Sequence, residues 1–154
     1  PLAIHQPNYS MLNRWVEQGL LDTSSELGMG IIAFCPLFQG LLTDKYLNGI
    51  PKDSRFTIEN SPLRKNEVNE QNLNVIRELN DHARQRGQTL AQMALSWVLR
   101  DNRVTSALIG ASSSTQILEN VKAVSHTQFS VDELGKLDRI LAKANLPKSL
   151  WASS

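Results

Sequence analysis

The chain predicts an α/β domain built on parallel strands, and three observations carry that expectation. Short β-type runs alternate with longer stretches at helical spacing, one run is apolar at successive positions, and another ends in glycine and hydroxyl residues that open a helix. Strands separated by helices are joined by crossovers, and crossovers join parallel neighbours. A run that is apolar throughout suits a strand covered on both faces.

The first strand candidate is Leu2 to His5, closed by Gln6-Pro7-Asn8, where proline removes a ladder donor. Leu12 to Gln18 and Leu20 to Leu27 space their apolar residues as helices do, and Gly28 sits where a left-handed C-terminal residue is expected. Ile31-Ile32-Ala33-Phe34 is the second strand, ended by Pro36. From Phe38 to about Lys65 the text reads as loop, punctuated by Gly40, Asn48-Gly49, Pro51 and Ser61-Pro62, and a loop of that length is usually functional or mobile. Asn66 to Arg86 is a long amphipathic helix with Leu73, Ile76, Leu79 and Ala83 on one face and Gly87 at its stop. Thr89 caps a further helix through Leu90, Met93, Ala94, Trp97 and Val98 to Arg100, whose apolar stripe reads as core. The third strand is Val104 to Ile109. A helix from Thr115 to Val124 follows it, and Ser130-Val131-Asp132-Glu133 opens a last helix to about Ala144 with a capping-box pattern.

Composition bounds the function classes. A chain of 154 residues with 41% hydrophobic and 20% charged residues suits one soluble domain with a real core. Sixteen basic against fifteen acidic residues leave a net charge of +1, no footprint for nucleic acid or an acidic membrane surface, so any anion site is local. The single cysteine, Cys35, excludes an intramolecular disulfide framework and fits a reducing, cytoplasmic setting. No apolar run reaches membrane-spanning length. His5, His82 and His126 are scattered, so no metal site is expected, and Ser112 to Ser114 lack the surroundings of a nucleophile elbow. The chain opens inside a strand without methionine and is expected to be the second half of a longer polypeptide.

The most informative stretch is Val104 to Asn120. A buried-type strand stops at Gly110, and Ser112 to Ser114 offer an N-cap and backbone N–H groups at the positive end of a helix dipole, where an anion is stabilised. The same pattern also describes an ordinary capped connection.

Three segments in order decide between these readings: Ile4-His5-Gln6-Pro7-Asn8-Tyr9; Gly30 to Tyr46 with Gly49-Ile50-Pro51 and Ser54-Arg55; and Ile109-Gly110-Ala111-Ser112 with Gln116, Glu119 and Asn120. Together they resemble the cofactor-binding half of the aldo-keto reductases, most closely the branch holding the voltage-gated potassium channel β subunits and bacterial reductases of small aldehydes. The resemblance runs almost end to end. It implies that the strands are the sixth to eighth of a (β/α)8 barrel and that residues 1–154 are its C-terminal, cofactor-binding half. A complete barrel needs eight strands and about 250 residues. Three strands alone leave sheet edges that pair or aggregate, so the isolated chain is expected to be unstable.

The resemblance also implies site residues at the C-terminal strand ends, where barrels of this kind carry their chemistry. Gln6 resembles the glutamine that bonds the nicotinamide carboxamide, and Phe34 takes the place of a Tyr or Trp that stacks on the nicotinamide. Cys35, where many relatives have Ser, joins Pro36, Leu37 and Gly40 in a turn that admits the pyrophosphate. Lys45 and Arg55 resemble basic residues near the pyrophosphate and the 2′-phosphate. Gly110, Ser112 and Gln116 match the 2′-phosphate region, although many other reductases have Lys and Arg where Ala111 and Gln116 stand, and Glu119 with Asn120 resembles the adenine-binding pair. Read without the family, Gln6, Lys45, Arg55 and Glu119 are surface polarity and Phe34 is core. The cofactor implied is NADPH. The proton-donating tyrosine and its Lys, Asp and His partners belong upstream of this chain, so no catalytic residue is assigned here. The implied activity is reduction of small aldehydes or ketones such as glyceraldehyde 3-phosphate or methylglyoxal by a homo-oligomer of four or more copies. The alternative is a regulatory NADP(H)-binding subunit of the channel-β type.

Overall fold

The computed structural model describes residues 2–48 and 67–146. Strands β1 (Ile4–His5), β2 (Gly30–Phe34) and β3 (Ser106–Leu108) form one sheet in the order β1-β2-β3, with both pairs parallel. Helix α1 (Leu20–Glu26) links the first two strands. Helices α2 (Glu70–Gln85) and α3 (Leu90–Leu99) precede β3, and α4 (Ser114–Val121) and α5 (Val131–Leu141) follow it. The expected alternation is present.

One departure concerns β2. Its apolar run suggested cover on both faces, yet Ile31 and Ala33 are fully buried while Gly30, Ile32 and Phe34 are only partly covered. All helices that bury the sheet therefore work on one face. Successive parallel strands that advance in a single direction across a sheet return on the same side each time, as in barrels. The other face stays open, with Ile4 56% and Leu108 52% exposed.

A second departure is local. In place of a helix over Leu12 to Gln18, only a 3-10 turn forms at Trp15–Glu17. Ser10 and Asn13 pair backbone to backbone at 3.1 Å in both directions, and the Trp15 indole donates to the Asn8 carbonyl at 3.0 Å, pinching the chain before a helix can start. Helix α1 then begins after Gly19, and Gly28, at φ +68°, supplies the expected left-handed stop.

The remaining helix ends follow side-chain chemistry. Asn69 Oδ1 accepts from Asn72 N at 2.9 Å and starts α2, whose Leu73, Ile76, Leu79 and Ala83 are buried as their spacing predicts. The first residue expected in that helix, Asn66, lies outside the described residues, and Glu67 to Asn69 form a turn and cap in place of the expected first helical turn. Thr89 and Gln92 close a capping box on α3, and Ser130 and Glu133 close one on α5. Ser113 caps α4, which tightens into a 3-10 turn at Lys122–His126 where an α-helix to Val124 was expected.

The core lies between sheet and helices around Trp97, Met93, Leu79 and Ile31, with Leu137 of α5 closing it. The Arg86 guanidinium seats α5: it pairs with the Glu133 carboxylate, donates to the carbonyls of His126 and Gln128 at 3.0 and 3.1 Å, and lies 3.8 Å over the Phe129 ring. A second clasp precedes β3. Arg103 donates to Asp101 through Nε at 2.8 Å and Nη2 at 2.5 Å and also reaches Asp22 of α1.

These hydrogen bonds from Arg103 hold the Asp101 carboxyl below its ordinary value. A carboxylate depressed in the fold contributes stability above its unfolded pKa, near 3.8, and loses it as pH falls through the folded value. Asp101→Asn is thus expected to lower the urea midpoint at neutral pH, and the difference from wild type is expected to shrink as pH falls below 3.8 through the depressed folded value. A second expectation follows from the open apolar face: the chain expressed alone self-associates in sedimentation velocity. A monomer that melts cooperatively would contradict it.

Candidate functional site

Because all three strands are parallel, their C-terminal ends share one edge of the sheet. The register does not slip between Ile4 opposite Gly30 and the isolated bridge of Asn8 to Phe34, which puts Gln6 and Asn8 on the same sheet face as Ile32 and Phe34. Phe34 in turn lies opposite Leu108. Gln6 thus lies opposite Ile32, diagonal to Phe34, and Asn8 lies opposite Phe34, all at the C-terminal edge of the open face.

Beyond Phe34 the backbone takes an uncommon course. Cys35, Phe38 and Gln39 have φ of +54°, +46° and +56°, and Gly40 follows at +92°. Left-handed conformations cost non-glycine residues about 1–3 kcal/mol each and persist only where their surroundings enforce them. The enforcement is local: Phe38 N donates to Cys35 O at 2.9 Å, Leu42 N to Leu37 O at 3.1 Å and Thr43 Oγ1 to Gly40 O at 2.6 Å. Gln39 Nε2 adds a contact to Cys35 Sγ at 3.1 Å, an interaction that sequence reasoning missed because nothing in a lone Gln signals it. Gly40 N also donates to Leu37 O and Leu41 N to Phe38 O, both at 3.0 Å, so the turn is closed by its own backbone bonds. Added Cβ atoms at Gly40 and Gly110 would meet nothing within 4 Å, so both glycines border open space at this edge.

Downstream, Lys45 is exposed, its backbone N–H bonded to Thr43 Oγ1 and its Nζ 5.9 Å from the Tyr46 ring centroid. Arg55, the other basic residue singled out from sequence, lies outside the described residues.

At the third strand end, Gly110, Ala111 and Ser112 are exposed. Ser113 Oγ caps α4 through Gln116 N at 3.2 Å. The Gln116 carbonyl oxygen accepts from Ser112 N at 2.8 Å and Ser112 Oγ at 3.1 Å, so these two residues meet as the sequence suggested. Glu119 and Asn120 sit one helical turn farther along α4, with Lys122 donating to Glu119 Oε1 at 2.6 Å.

A buried aromatic and charged cluster fixes the approach to this edge. Tyr9, Trp97, Arg14, Glu17 and Arg100 join the segment after β1 to α3: Tyr9 Oη donates to Glu17 Oε1 at 2.7 Å, and Trp97 lies between the guanidiniums of Arg100 and Arg14 at 3.6 and 5.0 Å. Burial raises the Tyr9 hydroxyl above its ordinary pKa, against the opposing effect of Arg100. Among the described residues no group of three His, Cys, Asp or Glu side chains is placed to hold a metal, and no helix is long and apolar enough to cross a membrane.

Parallel strands advancing one way, with a strained turn and a capped helix at their C-terminal edge, define a barrel-type α/β architecture. Residues 1–142 match the family model described as the aldo/keto reductase family, and the chain belongs to that family. It is 54% identical over its whole length to the L-glyceraldehyde 3-phosphate reductase of Escherichia coli K12, covering 45% of that protein. It is also 39% identical, over 88% of the chain and 41% of the relative, to a Schizosaccharomyces pombe protein named for a voltage-gated potassium channel subunit beta. The chain thus spans under half the length of these relatives. Among solved structures it resembles the glycerol dehydrogenase of Gluconobacter oxydans, with TM-score 0.74 and 28% identity over 94% of this chain and 43% of that one. An aldo-keto reductase of Klebsiella pneumoniae in complex with NADPH matches with TM-score 0.62 and 25% identity, over 96% of this chain and 42% of that one. The resemblance drawn from three short segments is borne out, branch included.

Replacing Gly40 by Ala forces a Cβ into the left-handed region. The variant is expected to lose about 1–2 kcal/mol of stability in denaturant titration, whereas Gly110→Ala, without a left-handed φ, loses less.

Proposed function

We propose that this chain is the C-terminal, cofactor-binding half of a (β/α)8 barrel in an NADPH-dependent oxidoreductase that reduces small aldehydes or ketones, glyceraldehyde 3-phosphate and methylglyoxal being the compounds to test first. The observation that carries the proposal is the convergence on one sheet edge of an amide (Gln6), an aromatic ring (Phe34), a rigid left-handed turn bordering open space at Gly40 (Cys35 to Gly40) and a capped helix N-terminus (Ser112 to Gln116). Identity to the E. coli reductase and likeness to an NADPH-bound structure support it.

When bound, the reduced nicotinamide supplies the hydride. This chain's residues bind and orient. Gln6 offers donor and acceptor to the carboxamide, and Phe34 covers one face of the ring, leaving the other to the carbonyl compound. The turn of Cys35, Pro36, Leu37 and Gly40 leaves room for the pyrophosphate, with Lys45 and Arg55 adding positive charge. Gly110 lets the chain pass close, and Ser112 meets the 2′-phosphate at the positive end of α4. Because Gln116 now turns its carbonyl oxygen toward Ser112, it must rotate to present its NH2 group to an anion, freeing the Ser112 N–H and hydroxyl for the same task. Glu119 and Asn120 hold the adenine edge. The proton for the carbonyl oxygen comes from residues outside this chain. In this reading the protein is a cytoplasmic homo-oligomer of four or more copies.

Similarity to a channel β-subunit protein favours a second reading, a cofactor-binding regulator with negligible turnover. One assay separates the two. The intact protein, saturated with NADPH, is expected to consume it in the presence of small aldehydes; bound cofactor with no consumption across the panel selects the regulatory reading. Ser112→Glu puts a carboxylate where the 2′-phosphate is received, so NADPH affinity should fall at least about tenfold in fluorescence titration while NADH binding changes little. Equal losses for both would contradict the assignment.

A further inference from the structure

Helix α3 carries a buried polar row inside an apolar segment. Gln92 and Ser96 lie four residues apart on one face of α3, Gln88 stands just before its Thr89 cap, and all three are buried. Buried amides and hydroxyls are costly unless bonded, so their partners show what the row is for. Gln88 Nε2 donates to Ser96 Oγ at 2.8 Å, and Ser96 Oγ donates to the Ala123 carbonyl at 2.9 Å, just past α4. Gln92 reaches α4 itself. Its Oε1 accepts from Thr89 N at 3.0 Å in the capping box, while its Nε2 donates to the Glu119 carbonyl at 2.9 Å and to Glu119 Oε2 at 3.2 Å.

The capping box removes ambiguity about how the amide is turned: Thr89 N requires an acceptor, so the NH2 end must face Glu119. Glu119 is half exposed, and its other oxygen is held by Lys122, whose long side chain is 61% exposed and costs entropy to hold still. Gln92 is the buried and rigid member of the pair. It fixes both the main chain and the carboxylate of the same residue.

We propose that Gln92 is a positioning residue that aims the Glu119 carboxylate at the 6-amino group of the cofactor's adenine, and so sets discrimination for adenine over purines without that group. The inference rests on the reading of Glu119 as an adenine contact. Each Glu119 oxygen spends one lone pair on Gln92 or Lys122 and keeps another for the incoming amine. A carboxylate already held in place loses little freedom when the base arrives.

Two substitutions separate positioning from folding. Gln92→Glu keeps an acceptor for Thr89 N, and hence the capping box, but removes the donor and sets a second carboxylate against Glu119. Gln92→Met keeps the length and loses both functions. In the intact protein, affinities for NADPH and for its reduced hypoxanthine analogue, which has a 6-oxo group in place of the 6-amino group, are measured by fluorescence titration. Wild type should prefer NADPH, and Gln92→Glu should reduce that preference about tenfold, the scale of one hydrogen bond to a charged group, with a lowered but still cooperative melting transition. Gln92→Met should reduce the preference as well, with some loss of stability. A preference unchanged in Gln92→Glu, or an equal weakening of both cofactors, overturns the positioning role. Wild type that binds both equally fails at the earlier step, the adenine reading of Glu119 itself.

Discussion

Burial of α3 against the sheet is the constraint on which the remaining geometry depends. Met93, Ala94, Trp97 and Val98 have no exposed surface, and truncating a fully buried Trp typically costs about 3–5 kcal/mol. The helix packs on β3, on α2, on α4 and on the turn after α4. Its polar side bonds α4 through Gln92 and the following turn through Ser96. Its C-terminal end, through Trp97 and Arg100, holds Tyr9 and Glu17 in the segment after β1. Two of the three site segments are therefore braced from one helix that bears no site residue, and the third lies between them in the sheet.

The site divides into parts of different stiffness. The turn after β2 stores strain in Cys35, Phe38 and Gln39, held by its own hydrogen bonds and by Leu41 and Leu42, which are fully buried beneath it. The segment at the start of α4 is different: its residues are exposed, and Ser112 and Gln116 satisfy one another. Those bonds must be exchanged when a phosphate arrives. In the proposed reading the nicotinamide and pyrophosphate end of the cofactor meets a turn already fixed, and the 2′-phosphate end a segment whose bonds exchange.

Local chemistry was legible in the chain. Thr89 and Ser130 are read as helix starts because a capping side chain bonds a backbone N–H two or three residues on, an interaction that needs no tertiary context. Gly28 is read as a stop for a similarly local reason. Properties set by distant partners were not. The apolar spacing of Leu12 to Gln18 resembled a helix, yet the Ser10–Asn13 pairing and the reach of Trp15 to Asn8 overrode it. The run Ile31 to Phe34 signalled two apolar faces correctly, but sequence could not say that only one is covered by this chain's own helices. The strained turn was visible only as a resemblance around Cys35 and Gly40, since nothing in Phe38 or Gln39 announces a positive φ. Gln92 was absorbed into an apolar stripe, although its four-residue spacing from Ser96 on the same helix held the signal.

The central claim is that one dinucleotide is held at once by all three strand ends. Hydrogen–deuterium exchange of the intact protein with and without NADPH tests it most directly. The account predicts simultaneous protection of the amides around Gln6, from Cys35 to Gly40 and from Ser112 to Gln116, with α2 and α5 unchanged. Protection confined to a single segment, or located away from the C-terminal edge of the sheet, would contradict it.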